Sequence, residues 1–376
     1  MKIGILDTDH YFYIYTLIQI FTDGKNEITV YTNPKIYKRC KEDLAGRTDI
    51  TYVVQEPNES WGEFLKKNTD RINTAGYSYF FLLPIYNHYK EHYQFISKLK
   101  TQNILVVFNL NGWINPSLLK NIFWFWPTYY KRKILGLMDW IAIDEHYDDY
   151  ANKLGYSGNR VHIPSALYDA EYVSKRAPVA APVKIIVPGT IHKERRDYDI
   201  VLSALKIALE KRQDFSVVLL GDPISDYGQQ ILAQADAINS KYGKEIIKTY
   251  PKEYNDEEFL RQILLGHFLI APVLPEFKLD GIIEVYGTSK STGSCFDILA
   301  YAIPGVFPDW LSVNSKFDSS ILRYKTAEDL STIILKFVEN PQLLEALREK
   351  ATVNSEHFSI DKIRTRLLNS LPKPKI

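Results

Sequence analysis

The stretch "KSTGSCFDILAYAIPGVFP" (290–308) sets a lysine and a small polar turn directly ahead of an apolar run that stops at a proline. The free N–H groups and positive dipole end of a helix attract anions, so Lys290, Ser291, Thr292, Gly293 and Ser294 form a candidate phosphate site. Ordinary N-capping by a serine or threonine explains the same residues with no ligand. Three further strand ends carry chemistry of the same kind. "PGTIHKERRDYD" (188–199) supplies Gly189, Thr190, Lys193, Arg195 and Arg196, and "LLGDP" (219–223) supplies Gly221 and Asp222. "TYPKEYNDEEF" (249–259) places Tyr250 or Pro251 where a flat base could be covered. Basic side chains neutralise a diphosphate, turn amides bond its oxygens, and a carboxylate such as Glu284 suits sugar hydroxyls. Together they point to a nucleotide-diphosphate ligand.

A second group follows the first apolar run, "KIGILD" (2–7). His10 comes just after it, with Asp7 and Asp9 close enough in sequence to orient an imidazole acting as general base. His88 and His146 are weaker rivals beside aromatic residues. No pair of aspartates stands out at a strand end as a metal site, so Lys193, Arg195, Lys290 and a helix dipole are expected to replace a divalent ion.

These groups need a scaffold that brings strand ends together. Apolar runs at 2–7, 27–32, 50–54, 77–84, 103–110, 140–144 and 160–164 read as strands, several separated by helical stretches. An Ala/Pro-rich segment without periodicity, 174–184, reads as a linker. Alternation then restarts with strands at 184–189, 215–221, 245–250 and 267–273. The expected fold is α/β: two Rossmann-like domains facing each other across a cleft, with ligands outside the carboxyl ends of the strands. The expected limits are 1–173 for an acceptor-side domain, 185–355 for a nucleotide-sugar-binding domain, and 356–376 for a last helix packing back on the first.

The second half resembles the donor domain of GT-B glycosyltransferases, especially the family-4-like branch. "VPGTIHKERRDYDIVLSAL", "VVLLGDP", "EVYG" and "GSCFDILAYAIP" carry the likeness, and "DWIAIDEHYDDYANKLGYSGNRVHIPSALYD" is similar to the end of the acceptor domain. The resemblance implies Glu284 and Gly287 at the donor sugar, Gly293 and Ser294 at the diphosphate, Asp297 in the acidic slot of the helix, and Arg195 in place of the family lysine. Thr190 stands where an arginine is usual, Thr292 where a second glutamate is usual, and "DTDHYF" replaces a glycine-rich loop. The implied activity is metal-independent transfer of a sugar from a UDP- or GDP-linked donor to a glycan or lipid-linked acceptor, in surface polysaccharide or glycoconjugate synthesis. His10, Asp9 and Glu284 are the catalytic candidates. A sugar-nucleotide epimerase of the same fold and a catalytically inactive binding protein are the alternatives.

Bulk properties narrow the field. The 46 Lys+Arg and 45 Asp+Glu nearly cancel, which argues against a dedicated nucleic-acid binder. Two distant cysteines, Cys40 and Cys295, suggest a reducing compartment without a disulfide framework. The N-terminus lacks the features of a signal peptide and no run approaches a bilayer span, so a cytoplasmic location is expected. "NIFWFWPTYYKRKIL" (121–135) pairs aromatics with a Lys/Arg cluster, fitting either a membrane-surface contact or an aromatic core face.

Overall fold

The computed structural model describes residues 1–22, 26–44, 46–114, 122–250 and 255–373. Apolar β-branched runs become strands of two parallel sheets. The first contains β1 (Lys2–Asp7), β2 (Glu27–Thr32), β3 (Ile50–Val54), β4 (Tyr79–Leu82), β5 (Asn103–Val106), β6 (Trp140–Ile143) and β7 (Arg160–His162). Their order across the sheet is β3-β2-β1-β4-β5-β6-β7. The second half adds β8 (Val183–Pro188), β9 (Phe215–Leu220), β10 (Ile247–Lys248), β11 (Phe268–Ile270), β12 (Glu276–Leu279), β13 (Ile282–Val285), β14 (Gly305–Pro308) and β15 (Ile321–Tyr324). Six of these make a parallel sheet ordered β10-β9-β8-β11-β14-β15, while β12 and β13 pair as a separate hairpin. The inner strands of both sheets are near-continuously buried, as expected when helices cover both faces.

Strand order reverses between β1 and β4 in the first sheet and between β8 and β11 in the second. A crevice opens at the carboxyl ends of such strands. The loops after these four strands are therefore the geometric centre of each half.

Three features depart from the sequence reading. "GVFP" is not the tail of an apolar helix; it is β14, because the helix Gly293–Ala300 stops before Pro304 and the chain re-enters the sheet beside β11. The strand expected at 245–250 shrinks to Ile247–Lys248. The hairpin β12–β13 is an addition. Its Asp280-Gly281 loop has φ of 50° and 75°, the left-handed pair a type I′ turn requires, and Asp-Gly is the dipeptide that supplies it. Asp23 and Gly24, expected to end the first helix, and Pro251 lie outside the described residues.

The segment before β8 is tied down. Ala177 N–H bonds Leu264 O at 2.9 Å, and Arg348 donates to Ala177 O at 2.7 Å. The helices Ala327–Glu339 and Pro341–Ser355 pack against the second half, the former opening with a capping box of Thr326 and Asp329. The last helix, Ile360–Ser370, crosses to the first: Arg364 donates to the carbonyls of Gln19, Ile20 and Thr22 at 2.6–3.0 Å. One apolar cluster runs from Ile3 and Phe81 through Phe358 and Leu367 to Leu269 and Phe307, joining both halves.

Candidate functional site

In the first half, the turn after β1 is built by a buried carboxylate. Asp7 accepts from the backbone N–H of Asp9 at 3.2 Å and of His10 at 2.7 Å, which folds "DTDH" back on itself before the helix Tyr11–Phe21. Asp7 is 3% exposed, and desolvation pushes its carboxyl up to about 7. It does not hydrogen-bond the imidazole: its oxygen stands 3.9 Å from His10 Nδ1, which is buried without a partner. Asp9 is exposed and takes the Thr8 hydroxyl at 2.8 Å. The His10 ring stacks on Tyr86, from the loop after β4, at 4.6 Å between centroids, with Phe108 at 5.2 Å. Burial, aided by the nearby Lys290, lowers the imidazole to about 4, so it is neutral at physiological pH. His10 and Tyr86 thus occupy the β1/β4 crevice.

The corresponding crevice of the second half, between β8 and β11, is crossed by arginine. Gly189 has φ 104°, and a Cβ there would lie 2.2 Å from the Arg196 guanidinium; a Cβ on Gly221 would lie 2.0 Å from Gly189 O. Only glycine at both positions lets the ends of β8 and β9 meet beneath Arg196. The Arg196 backbone forms an isolated β-bridge with Val273 in the loop after β11. Its charge is felt by Asp297, whose carboxyl burial nonetheless raises to about 7. Arg195 lies over the Phe277 ring at 4.2 Å. Thr190 is half-buried and Lys193 exposed. Asp222 O accepts from Ile191 N at 2.9 Å, and Tyr250 donates its hydroxyl to Glu258.

The turn 287–294 sits next to these groups. Gly287, at φ 76°, bonds Lys290 O through its N–H at 2.8 Å, and its own carbonyl lies 3.0 Å from His146 Nε2. Lys290 stands 4.3 Å from the Phe108 ring centroid, and desolvation, with Glu284 opposing it and Arg195 aiding it, lowers its ammonium to about 8. Among the described residues, none of Lys290, Arg195 and Arg196 has a carboxylate within ion-pair distance. Ser291 shares a hydrogen bond with Tyr147. Thr292 occupies the N-cap of the helix Gly293–Ala300 in extended conformation, yet its side chain makes no capping bond. Gly293 is exposed with nothing within 4 Å of a Cβ position, and the Ser294 hydroxyl is buried without a partner.

Glu284, which the resemblance places at the donor sugar, lies on the seam between the halves. It is 1% exposed and its two oxygens accept from the N–H groups of Gly112 at 2.8 Å and Asn111 at 3.3 Å, at the start of the short helix Leu110–Trp113. The structure therefore brings His10, Lys290, Arg195, Arg196 and the helix start at Gly293 to facing strand ends. It sets Glu284 on the seam between the halves, Lys193 and Asp9 in solvent, and Tyr250 against Glu258. His88 is exposed at φ 51° and lies outside the cluster. Residues the sequence reading missed are Tyr86, Phe108, Asn111, Lys131 and Asp280. An Asp-Gly pair between "EFKL" and "IIEV" was the available signal for the last.

A cavity of about 30 Å³, room for about one water, lies at this seam. Asp144, His146 and Tyr147 line one side, Ser291, Cys295 and Leu299 the other. Among the described residues no group of three or more His, Cys, Asp or Glu is placed to hold a metal, and no helix is long and apolar enough to cross a membrane.

No protein-family model matches the sequence, and no curated protein matches it. Solved structures do. The N-terminal domain of Candida albicans trehalose-6-phosphate phosphatase aligns with TM-score 0.64 at 9% identity, over 99% of this chain and 97% of that one. An α,α-trehalose-phosphate synthase (UDP-forming) from Burkholderia xenovorans, solved with glucose-6-phosphate, aligns with TM-score 0.64 at 8% identity, over 98% and 99%. A UDP-GlcNAc 2-epimerase from Neisseria meningitidis, bound to UDP-GlcNAc, aligns with TM-score 0.58 at 12% identity, over 98% and 99%. At such identities the likeness concerns the fold: two facing Rossmann-like domains of the GT-B kind. Nothing in it singles out the family-4-like branch.

Proposed function

We propose that this protein is a glycosyltransferase that takes a sugar from a nucleotide-diphosphate donor held by its second half. One observation carries the reading: the helix Gly293–Ala300 starts at an N-cap that does not cap, with an unpaired buried Ser294 hydroxyl and an open Gly293, next to a lysine lacking a carboxylate partner. Unsatisfied donors beside cations that no carboxylate among the described residues holds in an ion pair suit a diphosphate. On this reading Gly293, Ser294 and Lys290 hold the phosphates. Arg195 and Arg196 stabilise the leaving diphosphate, Gly189, Thr190, Gly221 and Asp222 shape the floor, and Gly287, Ser291 and Thr292 keep the turn in place. Tyr250 covers the base on the rim and Lys193 steers the anion from solvent. Asp297, about half-protonated near neutral pH, can donate to a sugar or phosphate oxygen. His10, neutral and facing the turn, removes the acceptor hydroxyl proton, with Asp9 near its rim.

The fold neighbours include proteins whose names specify UDP or UDP-linked sugars, which supports a UDP-sugar ahead of a GDP-sugar. The chain divides for this purpose into an acceptor side, 1–173, and a donor side, 185–355, with 356–376 returning to the first. A glycan or lipid-linked acceptor fits the exposed rings beside the basic residues of the helix Phe125–Leu135: Phe123 is 90% and Trp126 62% exposed. Flotation with anionic vesicles tests this contact; equal recovery of wild type and Trp126→Ala in the unbound fraction removes it.

The decisive experiment is incubation with UDP-, GDP- and dTDP-linked sugars while following melting temperature and nucleotide release. Stabilisation by one nucleotide with slow release of its diphosphate is the expected result. Complete indifference to all of them overturns the proposal. The second reading, an epimerase, draws on the epimerase neighbours and on two carboxyls, Asp7 and Asp297, held near neutrality. Sugar isomerised without an acceptor identifies it by NMR of the product.

A further inference from the structure

We infer that the hairpin β12–β13 is a clamp that seats the donor turn against the first half, with Asp280 and Glu284 as its positioning residues. The inference rests on the donor site proposed above for its purpose, and on the hairpin's contacts for its geometry.

The hairpin belongs to neither parallel sheet and directs its carboxylates at the other half. At the tip, Asp280 accepts from Lys131 Nζ at 2.7 Å and from the Tyr89 hydroxyl at 2.9 Å. The Lys131 side chain is 2% exposed, its ammonium 4.8 Å from the Tyr89 ring centroid and 6.0 Å from that of Trp113. Asp280 is its ion-pair partner among the described residues. Four residues on, Glu284 caps the amides of Asn111 and Gly112. Asn111 answers with its side-chain amide, donating to Ile283 O at 2.8 Å and to Ser289 Oγ at 3.2 Å. The chain then makes strand-like contact: Leu110 N–H bonds Ser289 O at 2.8 Å, and Asn109 forms a β-bridge with Lys290. Three attachments, at 280, 284 and 289–290, thus precede Gly293 directly.

Such contacts suit a releasable clamp better than a permanent weld. A buried ion pair must be stripped of water to form, so its net stability is small even when its geometry is good, and rehydration on opening offsets most of what is lost. The same holds for Glu284, whose carboxyl burial raises even though the Ser289 hydroxyl, the amides of Gly112 and Asn111, and Lys290 oppose this. When the hairpin lifts, the turn carrying Lys290 and Gly293 lifts with it. When it closes, Lys290 returns to Phe108 and the His10 crevice.

The resemblance assigns Glu284 instead to the donor sugar, and the two roles are separable. Dyes at Lys66→Cys and Lys336→Cys, both exposed and on opposite halves, report interhalf distance by energy transfer without ligand. Into this full-length background go Glu284→Ala, Glu284→Gln, Asp280→Ala and Asn111→Ala. Expected is a longer mean distance for both Glu284→Ala and Asp280→Ala, with UDP affinity about tenfold weaker. Glu284→Gln, which still presents an oxygen to Gly112, should recover to within about threefold. Unchanged energy transfer with loss confined to nucleotide-sugar affinity means Glu284 contacts sugar, and overturns the clamp. A lowered melting temperature with wild-type distance and UDP affinity marks a merely structural contact and also overturns it. If a carboxylate variant does not fold, Asn111→Ala decides alone by the same readings. Should no nucleotide bind wild type while the variants still open, the donor reading falls and the clamp stands.

Discussion

The two crevices are built from the same topology and filled with opposite chemistry. Around the β1/β4 switch, His10, Tyr13, Tyr86 and Phe108 form an aromatic nest in which Asp7 is half-protonated near pH 7 and His10 is uncharged. Around the β8/β11 switch lie Arg195 and Arg196, with Lys290 and an uncapped helix start beside them and glycines packed tightly below. Desolvation acts on both. In the first half it leaves His10 uncharged; in the second it raises Asp297 to about 7, while Lys290 keeps its charge below about pH 8 because Glu284 opposes the burial and the nearby Arg195 that lower it. The contrast separates roles: a neutral acid–base surface suits an acceptor hydroxyl, and a cationic one a leaving diphosphate.

The sharpest break in that contrast is at His10. His10→Ala should lower kcat by about 10²-fold or more and leave UDP affinity within about twofold, measured by steady-state rates beside calorimetry. Next come the cations: Lys290→Ala or Arg195→Ala should weaken UDP binding by roughly 10–100-fold, about 1.4–2.8 kcal/mol, with kcat at saturation less affected. Lys290 also predicts pH dependence. An ammonium lowered to about 8 is charged below that pH, so UDP affinity should fall as pH rises through 8. Arg195→Ala, which removes a cation that lowers Lys290, should shift this fall to higher pH, and Lys290→Ala should lose it.

Smaller effects test the supports. Gly189→Ala places a methyl on Arg196 at a left-handed φ, so unfolding free energy should drop by about 2 kcal/mol in urea titration. Arg195→Gln, one residue away from that contact, should produce no such loss. Asp297→Asn is read as a change in the pH dependence of stability and not as a fixed loss. A carboxyl raised from 3.8 to about 7 binds its proton more tightly in the folded state, so wild-type stability is lost as pH climbs from about 4 to 7. The asparagine variant should match wild type near pH 4 and exceed it above pH 7.

Much of the scaffold was legible because it follows from local pattern. Short β-branched runs such as "KIGILD" and "FSVVLL" read as buried strands, and amphipathic stretches such as "YDIVLSALKIAL" between them must cover a parallel sheet. The basic residues after β8 and the polar turn before the helix Gly293–Ala300 could be marked because strand ends in such sheets face a crevice. The strand at 247–248 is shorter than its sequence suggests, since "EIIKTY" has strand propensity but only two residues find a partner on β9.

Sequence alone therefore determined the alternation, the two sheets and which loops carry charge, all of which depend on neighbours a few residues apart. Tertiary structure decided what those loops meet. Glu284 is separated from Gly112 by 172 residues and Asp280 from Lys131 by 149, and no local pattern encodes such encounters. Whether a carboxylate holds a sugar or a backbone amide, and whether a histidine is charged, depends on which distant groups exclude water around it.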